Sequence, residues 1–109
     1  MSEITTHVLD AVLGKPAAAI DVRLERLESS TWTTVAQGTT DTDGRCRDLV
    51  HNAGPGTYRL TFATAAYFDL HQRSSIYPEV AISFLVDGAS RYHIPLLLSD
   101  NSFTTYRGS

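Results

Sequence analysis

Apolar and polar side chains alternate along several short stretches of the chain, and turn-forming residues separate these stretches. Alternation with a period of two places successive side chains on opposite faces of a β-strand. We therefore predict strands over residues 5–10, 18–27, 32–36, 57–64, 80–86, 91–98 and 103–106, and a further strand that starts near Arg45 after the Asp43-Gly44 turn. Many short strands separated by turns are typical of an all-β sandwich or barrel.

Two stretches carry additional information. Residues 65–73 contain helix formers and neither glycine nor proline, which predicts a short helix with Thr64 as its N-cap. In the stretch 18–27, the residues Asp21, Arg23 and Glu25 alternate with apolar residues and are expected on a solvated outer face.

Length and composition limit the possible functions. With 109 residues, the chain is expected to form one domain over 1–109. The net charge of −3 argues against a nucleic-acid partner, and no apolar run approaches the ~20 residues of a membrane span. The first residues lack the basic and apolar regions of a signal peptide, so a cytoplasmic location is expected. So small a core also makes oligomerisation plausible.

His7, His93 and Arg45 are the main candidates for chemistry. Each histidine interrupts a predicted strand, and Arg45 follows a tight turn. In isolation, His7 and Arg45 are better explained as exposed surface residues. Pro95 lacks an N–H for a sheet ladder, which predicts an edge or a bulge beside His93.

The other histidines and the single cysteine carry weaker signals. We expect His51 in an exposed loop over 50–54 and His71 on the polar side of the helix. No histidine spacing is typical of a metal site, so no metal is predicted. Cys46 has no cysteine partner in the chain, and we interpret it as a half-buried strand residue. Pattern and composition alone reach a β-sandwich with two unexplained strand histidines.

Four segments together resemble the transthyretin superfamily, and in particular its enzyme branch, the 5-hydroxyisourate hydrolases. They are THVLDAVLGKPA at 6–17, TDGRC at 42–46, YHIPLLLS at 92–99 and the terminal YRGS at 106–109. The resemblance implies a transthyretin-like eight-stranded β-sandwich with one short helix. It also implies a homotetramer built as a dimer of dimers, with active sites between the dimers.

The resemblance further implies an activity and a site. The activity is hydrolysis of 5-hydroxyisourate to 2-oxo-4-hydroxy-4-carboxy-5-ureidoimidazoline, without metal or cofactor. The catalytic residues would be His7, Arg45 and His93, and the substrate-binding residues His7, Arg45, Tyr106 and Ser109. One histidine would activate water while the other orients or protonates, with His7 slightly favoured for water, and Arg45 would stabilise the developing negative charge.

Two other interpretations stay open at this point. One is a carrier of a small aromatic ligand that uses the same channel, and the other is an adhesion sandwich without a pocket. The chain also departs from the enzyme branch in places. The branch often has His-Tyr-His where this chain has Arg91-Tyr92-His93, so Arg91 is expected to change the charge at the rim of the site.

Overall fold

The computed structural model describes the backbone of all 109 residues and every side chain except that of Asp48. The chain forms nine strands and one helix. They are β1 (Ser2–Asp10), β2 (Lys15–Pro16), β3 (Asp21–Glu28), β4 (Thr31–Thr39), β5 (Arg45–Ala53), β6 (Gly56–Phe62), α1 (Thr64–Leu70), β7 (Val80–Val86), β8 (Arg91–Leu98) and β9 (Phe103–Thr105). β2 is only a two-residue pairing, and without it eight strands remain. The expected sandwich of eight strands with one short helix is therefore confirmed.

The strands form two sheets. The first has the order β2-β1-β8-β9, and β5 also pairs with β1; the second has the order β4-β3-β6-β7. β1 and β8 run parallel, whereas the other pairs are antiparallel. The parallel pair joins the beginning of the chain to its last long strand, and the candidate site depends on this pairing.

The core lies between the sheets because alternate residues of each strand point inward. On β1, for example, Ile4, Thr6 and Val8 are buried, while Thr5 and His7 between them are only partly covered. On β6 the alternate residues Tyr58, Leu60 and Phe62 are likewise buried. The other face of the first sheet is left free for polar side chains.

Two expectations for the strands were wrong. Glu25 is buried rather than solvated, because its Cα partner Arg59 on β6 pairs with its carboxylate at 2.9 Å and Arg23 lies 3.6 Å from it on the same face. His51 lies within β5 and not in a loop, although its side chain is exposed as expected. The register of β5 against β1 is irregular at two places, which obscures any period-two pattern.

The helix is shorter than predicted and is capped differently. It begins at Thr64, so Thr64 is not the N-cap; Ala63 holds that position without a side-chain cap. It ends at Leu70, and Gln72 adopts a left-handed backbone conformation with φ of 58°. This reversal brings Arg73 back to the buried carboxylate of Asp10. Among the described residues, no helix is long and apolar enough to cross a membrane.

Candidate active site

His7 and Arg45 are direct neighbours on the outer face of the first sheet. They are Cα partners in the antiparallel pairing of β1 with β5, so their side chains emerge side by side. Both are half-buried. The two residues are 38 positions apart in sequence, and sheet pairing alone brings them together.

The turn before β5 fixes the position of Arg45, which is the first residue of that strand. The carboxylate of Asp41 accepts hydrogen bonds from the backbone N–H groups of Asp43 at 2.9 Å and Arg45 at 3.0 Å. These bonds and a contact with Arg47 hold the pKa of Asp41 below its usual value. Gly44 has a φ of 77°, and a Cβ there would collide with the carbonyl oxygen of Val8, so the turn requires glycine.

The same turn orients the imidazole of His7. Its Nε2 lies 2.7 Å from the carbonyl oxygen of Asp43. A carbonyl oxygen only accepts, so Nε2 must carry the proton. In the neutral form of His7 the lone pair is therefore on Nδ1, and Nδ1 is the atom able to accept a proton from water.

His93 lies on the same face, on the other side of β1. It is the Cα partner of Thr5 in the parallel pairing of β1 with β8. The hydroxyl of Thr5 lies 2.8 Å from Nδ1 of His93. Since a hydroxyl both donates and accepts, this bond fits either neutral tautomer and fixes the plane of the ring.

Pro95 is neither on an edge strand nor at a bulge, contrary to expectation. β8 pairs with β1 on one side, in continuous register, and with the C-terminal segment on the other. The carbonyl of His93 accepts a bond from Gly108, so His93 and Pro95 both direct their backbone polar groups toward that segment. The missing N–H of Pro95 thus leaves the ladder with β1 intact.

The C-terminal segment packs against His93 through Gly108. The two residues form a β-bridge, in which the N–H of Gly108 donates to the carbonyl of His93 at 2.8 Å. A Cβ at Gly108 would lie 2.5 Å from Cδ2 of the imidazole, so only glycine allows this approach. Tyr106 and Ser109 belong to the same segment; Tyr106 is 55% exposed, and Ser109 is exposed as well.

The charges around His93 favour its neutral form. The pKa of His93 is lowered by burial first, and then by the positive charges of Arg91, Arg45 and His7. A neutral imidazole at neutral pH is what proton abstraction from water requires. The same interactions show that Arg45 and His7 lie within electrostatic reach of His93.

Arg45 is set apart from the other arginines by its partners. Seven of the eight arginines make an ion pair, a hydrogen bond to a carbonyl or a ring contact. Among the side chains that the structure describes, no such partner reaches the guanidinium of Arg45. A half-buried guanidinium without an anion is suited to bind one.

A shallow cavity of about 220 Å³ adjoins this site on the side of Arg45. Arg91, which is 50% exposed, stands at its wall and makes one loose contact with Glu3, at 3.7 Å. The rim charge expected from Arg91 is therefore present, and it acts on His93.

The remaining candidates lie away from the two imidazoles. His71 is exposed, as expected, at the end of α1, where its ring contacts Tyr67. His51 interacts with Glu3 at 3.3 Å. Cys46 is buried rather than half-buried, at 4% exposure. No group of three potential metal ligands occurs among the described side chains.

Two supporting residues were missed by sequence reasoning. They are Thr5, which bonds His93, and Asp43, whose carbonyl bonds His7. Thr5 could have been found because it lies two positions before His7 and so shares its face. The roles of Asp43 and Gly108 depend on backbone geometry, for which the pattern gives no signal.

Comparisons with known proteins converge on one family. A family model described as HIUase/Transthyretin family matches residues 4–108. A 5-hydroxyisourate hydrolase of Mus musculus is 42% identical over 113 residues, which covers 99% of this chain and 96% of the mouse protein. The structure of Klebsiella pneumoniae 5-hydroxyisourate hydrolase superimposes with a TM-score of 0.89 and 34% identity, covering 100% of this chain and 94% of that one.

The fold is also shared with a binding protein. Sea bream transthyretin in complex with thyroxine superimposes with a TM-score of 0.92 and 28% identity, covering 96% of this chain and 93% of that chain. The fold alone therefore does not separate the two activities, and the side chains of the site must do so.

Proposed function

The chain belongs to the HIUase/Transthyretin family, and we propose that it catalyses the hydrolysis of 5-hydroxyisourate in urate degradation. The product is 2-oxo-4-hydroxy-4-carboxy-5-ureidoimidazoline. Water adds to a ring amide carbonyl, the adjacent C–N bond breaks, the ring nitrogen takes a proton and the carbonyl carbon becomes a carboxylate. The reaction is balanced without a metal or an oxidant.

The observation that carries the proposal is the guanidinium of Arg45, which has no partner among the described side chains and lies next to His7. As water attacks, negative charge develops on the carbonyl oxygen. A fixed guanidinium lowers the energy of that charge more than the energy of the neutral ground state. A cation held ready in this way favours a reaction over simple storage of a ligand.

The two imidazoles have different roles. His7 has its Nε2 committed to the carbonyl of Asp43, so its Nδ1 is the acceptor for the proton of water. His93, fixed by Thr5 and favoured in its neutral form, orients the substrate, and the proton that His7 takes from water is the one available to the leaving nitrogen. Of the two assignments, we favour His7 as the residue that activates water.

The C-terminal segment completes the site. Tyr106 and Ser109 contact the edge of the substrate ring, and their exposure in the single chain leaves them available for this. Gly108 holds the segment against His93. This part of the proposal predicts that removal of residues 106–109 abolishes turnover.

The proposal includes a homotetramer, a dimer of dimers, in the cytoplasm. The site lies on an open sheet face, and a second copy across it would exclude water from the charges. Its support is the small size of the chain and its exposed apolar residues, among them Leu85 on the edge strand β7 at 71% exposure. Light scattering on the purified protein tests the assembly, and cell fractionation tests the location.

A carrier is the alternative from a different functional class. A carrier of an aromatic ligand needs a channel, but it needs neither a base nor a cation without a partner. The relatives at about 40% identity are hydrolases, which supports catalysis over transport.

An ultraviolet absorbance assay tests the proposal directly. Urate oxidase generates 5-hydroxyisourate in the cuvette, and its decay is followed with and without the protein. We expect the wild type to accelerate the decay, and His7→Ala, Arg45→Ala and His93→Ala each to lower turnover by at least ~10²-fold.

The control is Arg26→Ala, which removes an arginine that is bonded to the carbonyl of Pro55, outside the site. It should leave turnover within about twofold of wild type. A folded wild type that leaves the decay unchanged would reject the hydrolase, and full activity of a folded His93→Ala would remove His93 from the mechanism.

A further inference from the structure

We propose that the cavity beside Arg45 is an anion subsite in which Arg45 and Arg91 bind the carboxylate that ring opening creates. This inference rests on the hydrolase proposed above. It assigns a substrate-binding role to Arg91, and it names the residues that bind the carboxylate formed by hydrolysis.

The position of the cavity is the first argument. It has a volume of about 220 Å³, and Thr5 and Arg45 form part of its wall. Thr5 is bonded to His93, and Arg45 is the neighbour of His7. A group produced between the two imidazoles therefore needs to move by only about one strand spacing, ~5 Å, to enter it.

The charge of the cavity is the second argument. Three arginines and one glutamate line it, so positive charge predominates. Arg47 is already engaged by Asp41 at 3.2 Å and by Asp43 at 3.6 Å. Arg45 and Arg91 are the cations left to receive an anion.

The contact between Arg91 and Glu3 does not block this role. It involves Nε of Arg91 at 3.7 Å, and Glu3 also faces His51 at 3.3 Å. Nη1 and Nη2 of Arg91 make no hydrogen bond to any described side chain. Two guanidinium groups facing one cavity match the two oxygens of a carboxylate.

The reaction itself supplies the ligand. The ring substrate has an amide carbonyl where the product has a carboxylate, so the new negative charge is the chemical difference that a subsite can recognise. Positive charge placed where this anion forms favours the later, product-like part of the reaction path.

Two stable compounds test the subsite as inhibitors of 5-hydroxyisourate decay. Orotate is a planar ring bearing a carboxylate, and uracil is the same ring without it. We expect orotate to inhibit the wild type at least tenfold more strongly than uracil, because one charge-assisted hydrogen bond accounts for about that factor. Arg91→Gln should bring the ratio of the two inhibition constants close to one, and Arg91→Lys should retain part of it.

Arg23→Gln is the matched control. Arg23 is 44% exposed and makes one loose contact with a glutamate, at 3.6 Å, much as Arg91 does, but it lies on the other sheet. It should leave the ratio unchanged, so that a loss confined to Arg91→Gln cannot come from net charge alone.

The outcomes separate the two proposals. If the wild type accelerates decay but the ratio is the same in wild type and Arg91→Gln, or neither compound inhibits, the subsite is wrong and the hydrolase stands. If the wild type does not accelerate decay, the hydrolase itself fails, and the subsite fails with it.

Discussion

Replacing Asp10 by Asn should destabilise the fold strongly while leaving the candidate site in place. The carboxylate of Asp10 is fully buried at the end of β1. It accepts hydrogen bonds from the hydroxyl of Tyr67 at 2.7 Å, the backbone N–H groups of Val12 at 3.1 Å and Leu13 at 3.0 Å, and the guanidinium of Arg73. It thereby ties the helix region to the first sheet.

The size of the effect follows from the pKa. Burial by itself raises the pKa of Asp10, but the bonds from Arg73, the N–H of Leu13 and Tyr67 outweigh it and lower the pKa from 3.8 to about 2. Each pKa unit corresponds to about 1.4 kcal/mol, so the charged form contributes about 2 kcal/mol to stability at neutral pH. The Asn variant also leaves the buried Arg73 with Asp100 as its remaining carboxylate, which brings the expected loss to about 3 kcal/mol.

Urea unfolding followed by the fluorescence of the single tryptophan, Trp32, measures this loss. All proteins are compared at one concentration, because assembly would otherwise shift the midpoint. Asp69→Asn is the control, since Asp69 is exposed and the change should cost less than about 0.5 kcal/mol.

The pH dependence gives a second readout on the same pair of proteins. Because the folded-state pKa of Asp10 lies below the unfolded value, its contribution is present above pH ~4 and is lost as the pH falls toward about 2. The wild type should lose stability in this window, and Asp10→Asn should lack that component. An Asp10→Asn protein within about 1 kcal/mol of wild type at pH 7 would refute the reasoning.

Two further predictions concern His93. Gly108→Ala should lower turnover at least ~10-fold, because the added Cβ would lie 2.5 Å from the imidazole. Gly54→Ala is the control and should keep its turnover, since the nearest atom to its added Cβ is 3.9 Å away. Equal rates for the two variants would contradict the packing argument. Burial and then the charge of Arg91 lower the pKa of His93, so the acid limb of the pH–rate profile should lie below pH 6.5. Arg91→Gln removes that charge and should move the limb to higher pH. A limb that stays in place in Arg91→Gln would exclude this electrostatic influence.

Much of the fold could be predicted because most strands obey the alternation rule. β7 and β8 begin and end where the pattern predicts, since their inward residues are uninterrupted. β5 was only half-recognised, because its two register shifts and its polar residues hide the period. Glu25 was misplaced because its ion pair with Arg59 of β6 covers it on its own face, and no local pattern indicates which strand becomes its neighbour.

Candidate residues for the site could be named from the sequence, but the way the fold brings them together could not be predicted. Alternation indicated that His7 and His93 interrupt strands, and resemblance to a family connected them with Arg45. The pairings that bring these three residues together join distant parts of the chain, and no local pattern encodes which strands become neighbours. The carbonyl of Asp43 and the close approach of Gly108 are properties of backbone geometry, which residue types do not reveal.

The parallel pairing of β1 with β8 also has a consequence for biosynthesis. Thr5 and His93 are separated by 88 positions, and Gly108 is added later still. While a ribosome is making the chain, β1 has emerged but lacks the neighbour that completes its sheet, and contacts of such long sequence separation form slowly. The candidate site is thus assembled late, because it needs residues from β1 and from the segment that follows β9.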